Sequence, residues 1–310
     1  MSIGVKTALV CGYSLRSSIS SLGQAAAPRV LSRPMESRLD EIAFFADREL
    51  ARRLEAAEVA GAVEFARAYA RLYPESGAYS ETIAGGAAVY TGVGSPITQA
   101  LGLGMQGRVE AAEVDRLEEF YRSRGSGVFV EHCPHADTSL LGLFGDRGYR
   151  LIEQTNMLVR PIIPPAQAAG AEAAVTVRPP APGEVEPLAR VVAQGFSPEA
   201  GADPPLVDHF ITFCHQANAV CLLAEIEGRI AGGGAAARHE GVAALFGTST
   251  LPEYRGRGAQ SALVRARLEW AAAAGCDLAM VSAAPGSVSH RNLERQGFRV
   301  AYTRAKLAHG

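Results

Sequence analysis

Residues 251–264 read LPEYRGRGAQSALV, and they place two glycines and two arginines between a strand-like segment and a helix-like segment rich in Ala and Leu. A glycine-rich turn from a strand into a helix directs consecutive backbone N–H groups toward one point, and the helix N-terminus adds about half a positive charge there. Gly256 and Gly258 allow close approach to the backbone, while Arg255 and Arg257 add cationic donors. The stretch therefore predicts a loop that binds a phosphate or pyrophosphate.

The segments around this loop alternate between strand-like and helix-like patterns. Glu227-Gly228 and Glu240-Gly241 join three apolar runs by tight turns, which indicates antiparallel hairpins, and Gly275 is placed to end a helix. The predicted strands are 175–178, 219–226, 229–237, 242–251, 277–283 and 298–307, and the predicted helices are 183–196, 259–274 and 287–296. This order predicts a mixed sheet with helices on both faces.

The same pattern occurs earlier in the chain. LFGDRGYRLIEQTNMLVR (143–160) aligns with NLERQGFRVAYTRAKLAH (292–309) at an offset of 149 residues, and Gly125 aligns with Gly275 at an offset of 150. Order and spacing hold over most of both halves, which is typical of a repeated structural unit. The sequence therefore predicts two copies of one fold.

A segment rich in Pro and Ala with a single charge, PIIPPAQAAGAEAA (161–174), separates the two copies and is typical of a semi-rigid linker. Upstream, helical periodicity from Met35 predicts two or three helices with breaks near Asp47 and Gly61. The first 34 residues contain four basic and no acidic residues, so we expect a disordered leader or an over-long start, with a signal or transit peptide as the alternative. The predicted organisation is a leader over 1–34, a first domain over 35–162, a linker over 163–174 and a second domain over 175–310.

The composition limits the partners that the chain is expected to have. With 310 residues, 48% hydrophobic residues and a formal net charge of −2, it suits a globular protein of two domains that binds neither nucleic acid nor anionic membranes through its overall field. We expect a small-molecule partner and a monomer or homodimer. The five cysteines include no C-x-x-C pair, which predicts neither a disulfide framework nor a zinc ribbon, and no apolar run reaches the roughly 18 residues of a membrane span. A cytoplasmic protein is expected.

The loop and its surroundings resemble a known family. Y-R-G-R-G ahead of S-A-L-V-R-A-R-L-E-W-A, followed by a strand and R-Q-G-F-R, is similar to the acetyl-CoA site of GNAT superfamily N-acetyltransferases. The family motif is Gln/Arg-x-x-Gly-x-Gly/Ala; Arg255 and Gly258 match it, and Gln260 departs from it at the last position. The resemblance covers 175–310 and extends weakly to 80–160. It implies an α/β (α+β) fold of two tandem GNAT-like domains, each a mixed, largely antiparallel sheet flanked by helices, with a degenerate N-terminal copy.

The resemblance also implies acetyl-CoA as co-substrate and a set of residues that bind it. The implied cofactor-binding residues are Thr250, Leu251, Arg255, Gly256, Arg257, Gly258, Ala259, Gln260 and Ser261. We expect one acetyl-CoA per chain, because the offset between the copies is 145 at Gly102 and Gly247 but 150 at Glu119 and Glu269. About five residues are therefore missing from the N-terminal copy where the loop belongs, and that copy is expected to help wall the acceptor site.

Proton transfer is harder to assign. In the family a tyrosine often protonates the departing thiolate, and its position here is Leu293. His290, one turn earlier, and Tyr302 on the last strand are the candidate catalytic residues, and Glu240 or a water chain is the candidate base. For the oxyanion, a backbone N–H near Thr250-Leu251 is the candidate donor, with a β-bulge predicted at Gly247.

Two other motifs offer weaker alternatives. GLGMQG (102–107) satisfies G-x-G-x-x-G with Glu131 downstream, but the further βα units of a dinucleotide-binding domain do not follow. EHCPHAD (131–137) groups two histidines and a cysteine without a second ligand pair, so no metal is expected. The favoured function is an acetyl-CoA-dependent N-acetyltransferase that acts on the amine of a small molecule through the C-terminal domain. A non-catalytic acyl-CoA or metabolite sensor is the main alternative, followed by an NAD-type oxidoreductase.

Overall fold

A computed structural model describes residues 45–162, 175–199 and 201–310. The predicted leader 1–34 and linker 163–174 lie outside the described residues. Seven α-helices lie in the described ranges: α1 Arg48–Leu72, α2 Ala111–Arg122, α3 Thr138–Asp146, α4 Val185–Phe196, α5 Pro204–Cys214, α6 Ala259–Ala273 and α7 Val288–Arg295. The strands are β1 Tyr79–Ile83, β2 Gly86–Tyr90, β3 Gln99–Leu101, β4 Val128–His132, β5 Arg150–Pro161, β6 Thr176–Arg178, β7 Ala219–Ile226, β8 Arg229–His239, β9 Val242–Thr250, β10 Leu278–Ala283 and β11 Arg299–His309.

These strands form one sheet in the order β1-β2-β3-β4-β11-β5-β10-β9-β8-β7-β6. The β3–β4 and β9–β10 pairs are parallel, and the other neighbours are antiparallel. The prediction of a mixed, largely antiparallel sheet with flanking helices is therefore confirmed.

The two halves of the chain exchange their last strands. β5, from the first half, lies between β11 and β10, while β11, from the second half, lies between β4 and β5. Arg150 pairs with Ala308 and Val159 pairs with Arg299. The repeat offset of 149 residues takes Arg150 to Arg299 and Val159 to Ala308, so it converts one pair into the other. The register thus has the two-fold symmetry of the repeat, and the sheets of the two copies are joined into one.

Alternating residues of the strands show which helices share a face. On β7, Cys221 and Leu223 belong to the core that contains α1, α4 and α5, whereas Leu222 and Ala224 belong to the core beneath α6. Successive strand residues point to opposite faces, so α1, α4 and α5 lie on one face and α6 on the other. None of the helices in the described ranges is long and apolar enough to cross a membrane.

Helix α1 begins where the sequence predicts and continues further than expected. The Asp47 carboxylate accepts a hydrogen bond from the Leu50 N–H at 2.8 Å and caps the helix. The predicted break at Gly61 is wrong, because the helix continues through it to Leu72. A single glycine costs a helix only about 1 kcal/mol, and 25 residues that pack against the sheet outweigh that cost.

Two features near residue 210 differ from the sequence analysis. Helix α5, which was not predicted, starts at Pro204 and buries Phe210 and Phe213 against α4. Its last residue, Cys214, forms a disulfide with Cys221 of β7, a pair that the prediction of no disulfide framework did not include. The helix end and the strand bring the two Cα atoms to 5.3 Å, a distance that only the tertiary fold decides.

Candidate active site

The parallel strands β9 and β10 separate along their length. They pair from Val242 and Leu278 as far as Ala244 and Met280; beyond that point β9 remains paired with β8, and β10 with β5. A cavity lies in the gap, and we call it the splay cavity. It is lined by Leu245, Phe246, Gly247, Thr248, Gln260, Val264, Arg267, Val281, Ser282, Ser289 and Leu293.

The predicted bulge lies at the mouth of this gap. Between the pairs Gly233–Ser249 and Ala235–Phe246, β9 has two residues where β8 has one. Gly247 has φ +61° there, a left-handed conformation that glycine adopts without strain. The bulge prediction at Gly247 is confirmed, and the bulge turns Thr248 toward the splay cavity.

A buried arginine supports the bulge from below. The Arg267 side chain is 1% exposed and donates to the Thr248 hydroxyl at 2.6 Å, the Ala235 carbonyl at 3.1 Å and the Leu263 carbonyl at 3.0 Å. No carboxylate in the described part of the chain pairs with it, and burial lowers its pKa to about 9. No motif in the sequence singles out Arg267, although an arginine on the apolar face of a predicted helix indicates a buried cation.

The predicted anion loop has an open helix N-terminus. Gly258 is the N-cap of α6 with φ +90°, no side chain caps the helix, and its first turn holds no acidic residue. The first N–H groups of α6 therefore lack intrahelical partners and point toward the loop. Gly256 has φ +76°, and both glycines are exposed. Backbone groups of Ala259, Gln260 and Ser261 are thus placed to receive an anion.

The two loop arginines are held by neighbours. Arg255 donates to the carbonyls of Gly195 at 3.0 Å and Thr250 at 3.2 Å, which braces the loop against the end of α4. Arg257 pairs with Glu227 in the β7–β8 turn. Both guanidinium groups therefore have protein partners, and the N–H groups at the start of α6 are the donors in this loop that are not held by a side chain.

Two further predicted residues also have partners. The N–H of Leu251, one of the amides considered as an oxyanion donor, is bonded to the Ala231 carbonyl at 2.9 Å, so this amide is engaged. The Gln260 side-chain oxygen accepts a hydrogen bond from Asn292 at 2.7 Å, which links α6 to α7 beside the splay cavity.

The two candidate catalytic residues lie apart. On α7, Ser289 and Leu293 line the splay cavity, whereas His290 is not among its lining residues and its Nδ1 accepts from the Gly286 N–H at 3.1 Å. Tyr302 is buried on β11, where its hydroxyl donates to Glu55 at 2.7 Å. The structure does not bring His290 and Tyr302 together, and proton transfer by either one stays a prediction.

A second cavity lies beneath α1 and adjoins the splay cavity where β9 and β10 separate. Leu245, Phe246 and Ser282 line both cavities. We call this second space the α1 cavity; it lies on the face of the sheet opposite α6.

The corresponding helix N-terminus in the N-terminal half carries acidic side chains. Helix α2 has Glu110 as its N-cap, and the Glu113 carboxylate accepts from the Glu110 N–H at 3.0 Å, so negative charge occupies this helix N-terminus. In the GLGMQG segment, Gly104 is bonded to Ala84 and Asp137 at 2.9 Å each.

In the EHCPHAD segment, Glu131, His132, Cys133 and Ala136 are buried, and Pro134 is exposed. Burial raises the pKa of the Cys133 thiol to about 12 and lowers the pKa of His132. Across the described ranges, no group of three acidic, histidine or cysteine side chains is arranged to hold a metal ion.

Comparison with known proteins agrees with this geometry. The model of the Acetyltransferase (GNAT) family matches residues 190–298. A GCN5-related N-acetyltransferase from Kribbella flavida is similar over 84% of this chain and 95% of its own, with 16% identity and a TM-score of 0.58. One from Sphaerobacter thermophilus is similar over 64% of this chain and 66% of its own, with 18% identity and a TM-score of 0.50. No curated protein matches the chain. Residues 190–298 therefore match the domain model of the GNAT family of acetyltransferases, and the fold of the chain is similar to that of GNAT acetyltransferases.

Proposed function

We propose that the chain transfers the acetyl group of acetyl-CoA to the amine of a small molecule, at the point where the splay cavity and the α1 cavity meet. The observation that carries the proposal is the shared boundary at Leu245, Phe246 and Ser282. A donor on one face of the sheet and an acceptor on the other face reach each other there without crossing a packed strand pair.

The residues present fit acetyl-CoA as a substrate. The uncapped N-terminus of α6 offers N–H groups to the pyrophosphate, and Gly256 and Gly258 leave room for it. The splay cavity, with the hydroxyls of Thr248 and Ser289 in its wall, receives the acyl end. Amine attack on a thioester needs donors for the developing negative charge and a group that gives the thiolate a proton.

We expect Ser289→Ala to lower kcat about tenfold without changing acetyl-CoA affinity, because Ser289 rather than His290 lines the splay cavity. His290→Ala is the matched neighbour and should change kcat less than about threefold. Steady-state kinetics and calorimetry on both variants test this. A loss of about 100-fold in His290→Ala, with Ser289→Ala unaffected, would return proton transfer to His290.

We also propose that the chain binds one acetyl-CoA, in its C-terminal half. The contrast between the open N-terminus of α6 and the acidic N-terminus of α2 supports this, since Glu110 and Glu113 would repel a pyrophosphate.

Calorimetric titration of acetyl-CoA into the full chain should give one equivalent bound, and an assay of CoA release over a panel of amines should give turnover. Two bound equivalents would contradict the single site. Tight binding of acetyl-CoA without release of CoA to any amine would favour the non-catalytic sensor. That alternative is relevant because Leu293 takes the position where a thiolate-protonating tyrosine was considered.

A further inference from the structure

The α1 cavity has walls that are mostly apolar. Three aromatic rings line it, those of Phe65, Phe213 and Phe246, together with Ile97 and Leu101. Phe65 is 1% exposed and Phe213 5%, so the walls are part of the packed core. A ligand that fills this space needs an apolar body of similar width.

A few polar groups interrupt this wall, and one of them has an unused acceptor. Gln216 is 5% exposed, and its amide donates to the Gly61 carbonyl at 3.1 Å. That bond fixes which end of the amide is nitrogen, because the oxygen would be repelled by the carbonyl. The Gln216 oxygen is buried and has no hydrogen-bond partner among the described residues. A buried acceptor that lines a cavity favours a ligand with an N–H or O–H donor.

The second polar group is a carboxylate, which favours a positively charged hydrogen-bond donor. Glu58 of α1 lines the cavity and accepts from Arg304 at 3.2 Å. Arg304 also bonds Glu55 at 2.9 Å, so Glu58 shares this guanidinium with a second carboxyl group. No lysine or arginine is among the lining residues of this cavity.

We infer that the α1 cavity binds a primary amine with one ammonium group on an apolar body, and that Glu58 and Gln216 accept its N–H bonds. As an acceptor site the inference rests on the proposed function; as a binding site it does not. An α-amino acid is excluded by its carboxylate, which finds no cation in the lining and is repelled by Glu58. A polyamine is disfavoured because Glu58 is the one carboxylate among the lining residues, so its further ammonium groups find no second anionic partner there.

The transfer balances in atoms and charge. The ammonium loses one proton to the Glu58 carboxylate and then to solvent, the nitrogen bonds the thioester carbonyl carbon, and the C–S bond breaks. The nitrogen loses a second proton, which the departing thiolate takes. The products are the N-acetyl amine, CoA as the thiol and one proton in solution.

The test compares three ligands with the full chain, first by calorimetry without acetyl-CoA and then by turnover with it. Phenethylamine has the inferred features, phenylalanine adds a carboxylate to the same body, and spermidine adds charge without a ring. We expect phenethylamine to bind at least about tenfold more tightly than the other two, because each carries a charge that the cavity leaves unpaired. Equal or tighter binding of phenylalanine or spermidine would overturn the inference.

Variants locate the site. Glu58→Gln should weaken phenethylamine binding about 10- to 100-fold, the usual range for a hydrogen bond to a charged group. Gln216→Leu, in the loop between α5 and β7, should weaken phenethylamine binding about threefold to tenfold, because one neutral hydrogen bond is lost. This variant tests the site if Glu58→Gln does not fold. The matched control is Glu49→Gln, which removes an exposed carboxylate from the same helix and should change nothing. Unchanged affinity in both Glu58→Gln and Gln216→Leu would overturn the site.

Different results would contradict the proposed function and the inference about the α1 cavity. Binding of phenethylamine through Glu58 without release of CoA would contradict the proposed function and support this inference. Turnover of spermidine or amino acids, with phenethylamine neither bound nor acetylated, would overturn this inference and leave the acetyltransferase standing.

Discussion

Replacing Gly258 by glutamate is expected to reduce acetyl-CoA affinity at least about 100-fold, or about 2.7 kcal/mol. The new carboxylate would lie at the N-cap of α6, where the helix dipole and the free N–H groups favour it over a phosphate. The fold should persist, because a Cβ at this position meets only a Val175 methyl group at 4.0 Å. Calorimetric titration of acetyl-CoA into the purified variant measures the loss.

The control variant must also place a side chain on a residue with positive φ, so that both variants carry the same backbone strain. A side chain at φ +90° costs about 1–2 kcal/mol wherever it lies. Gly77→Glu adds the same charge at φ +64°, with no atom within 4 Å of the new Cβ, and it lies in the N-terminal half. Acetyl-CoA should bind Gly77→Glu like the parent. An affinity within about threefold of the parent in Gly258→Glu would remove the loop from the site.

The parts of this site that the sequence predicts are those that depend on local backbone geometry. The turn at Gly256 and Gly258 and the bulge at Gly247 each need a left-handed residue, and glycine marks such positions directly. The antiparallel hairpins at Gly228 and Gly241 follow from the same rule.

The parts that escaped prediction depend on contacts between distant segments. Pairing of β5 with β11 brings Arg150 next to Ala308, and no local pattern distinguishes that exchange from two separate sheets. The α1 cavity likewise joins Glu58 to Phe246, which belong to different halves of the chain. Arg267 is an intermediate case. The sequence shows that it lies on an apolar helix face, but it does not show that Thr248 at the bulge accepts its hydrogen bond.

Arg304→Met is expected to lower the free energy of unfolding by about 3–5 kcal/mol near neutral pH, because it leaves a buried carboxylate without its cation. Arg304 is 2% exposed and Glu55 1% exposed, and Glu55 also accepts from the Tyr302 hydroxyl at 2.7 Å. Burial already raises the pKa of Glu55 above its ordinary value of 4.5, and Arg304 opposes that rise. Urea unfolding followed by circular dichroism measures the change. Arg150→Met, which removes an exposed arginine from β5, should shift stability by no more than about 0.5 kcal/mol.

The pH dependence of Arg304→Met separates this cause from a packing defect. Without Arg304 the pKa of Glu55 in the folded state rises further, so the folded variant keeps a proton that the unfolded chain loses above pH 4.5. Stability should therefore fall as pH rises from 4.5, and the deficit relative to the parent should be smaller at pH 5 than at pH 8. Adding Glu55→Gln to Arg304→Met should restore most of the loss and flatten the profile, because no buried charge remains unpaired there. A deficit that is independent of pH and unchanged in the double variant would assign Arg304 to packing alone.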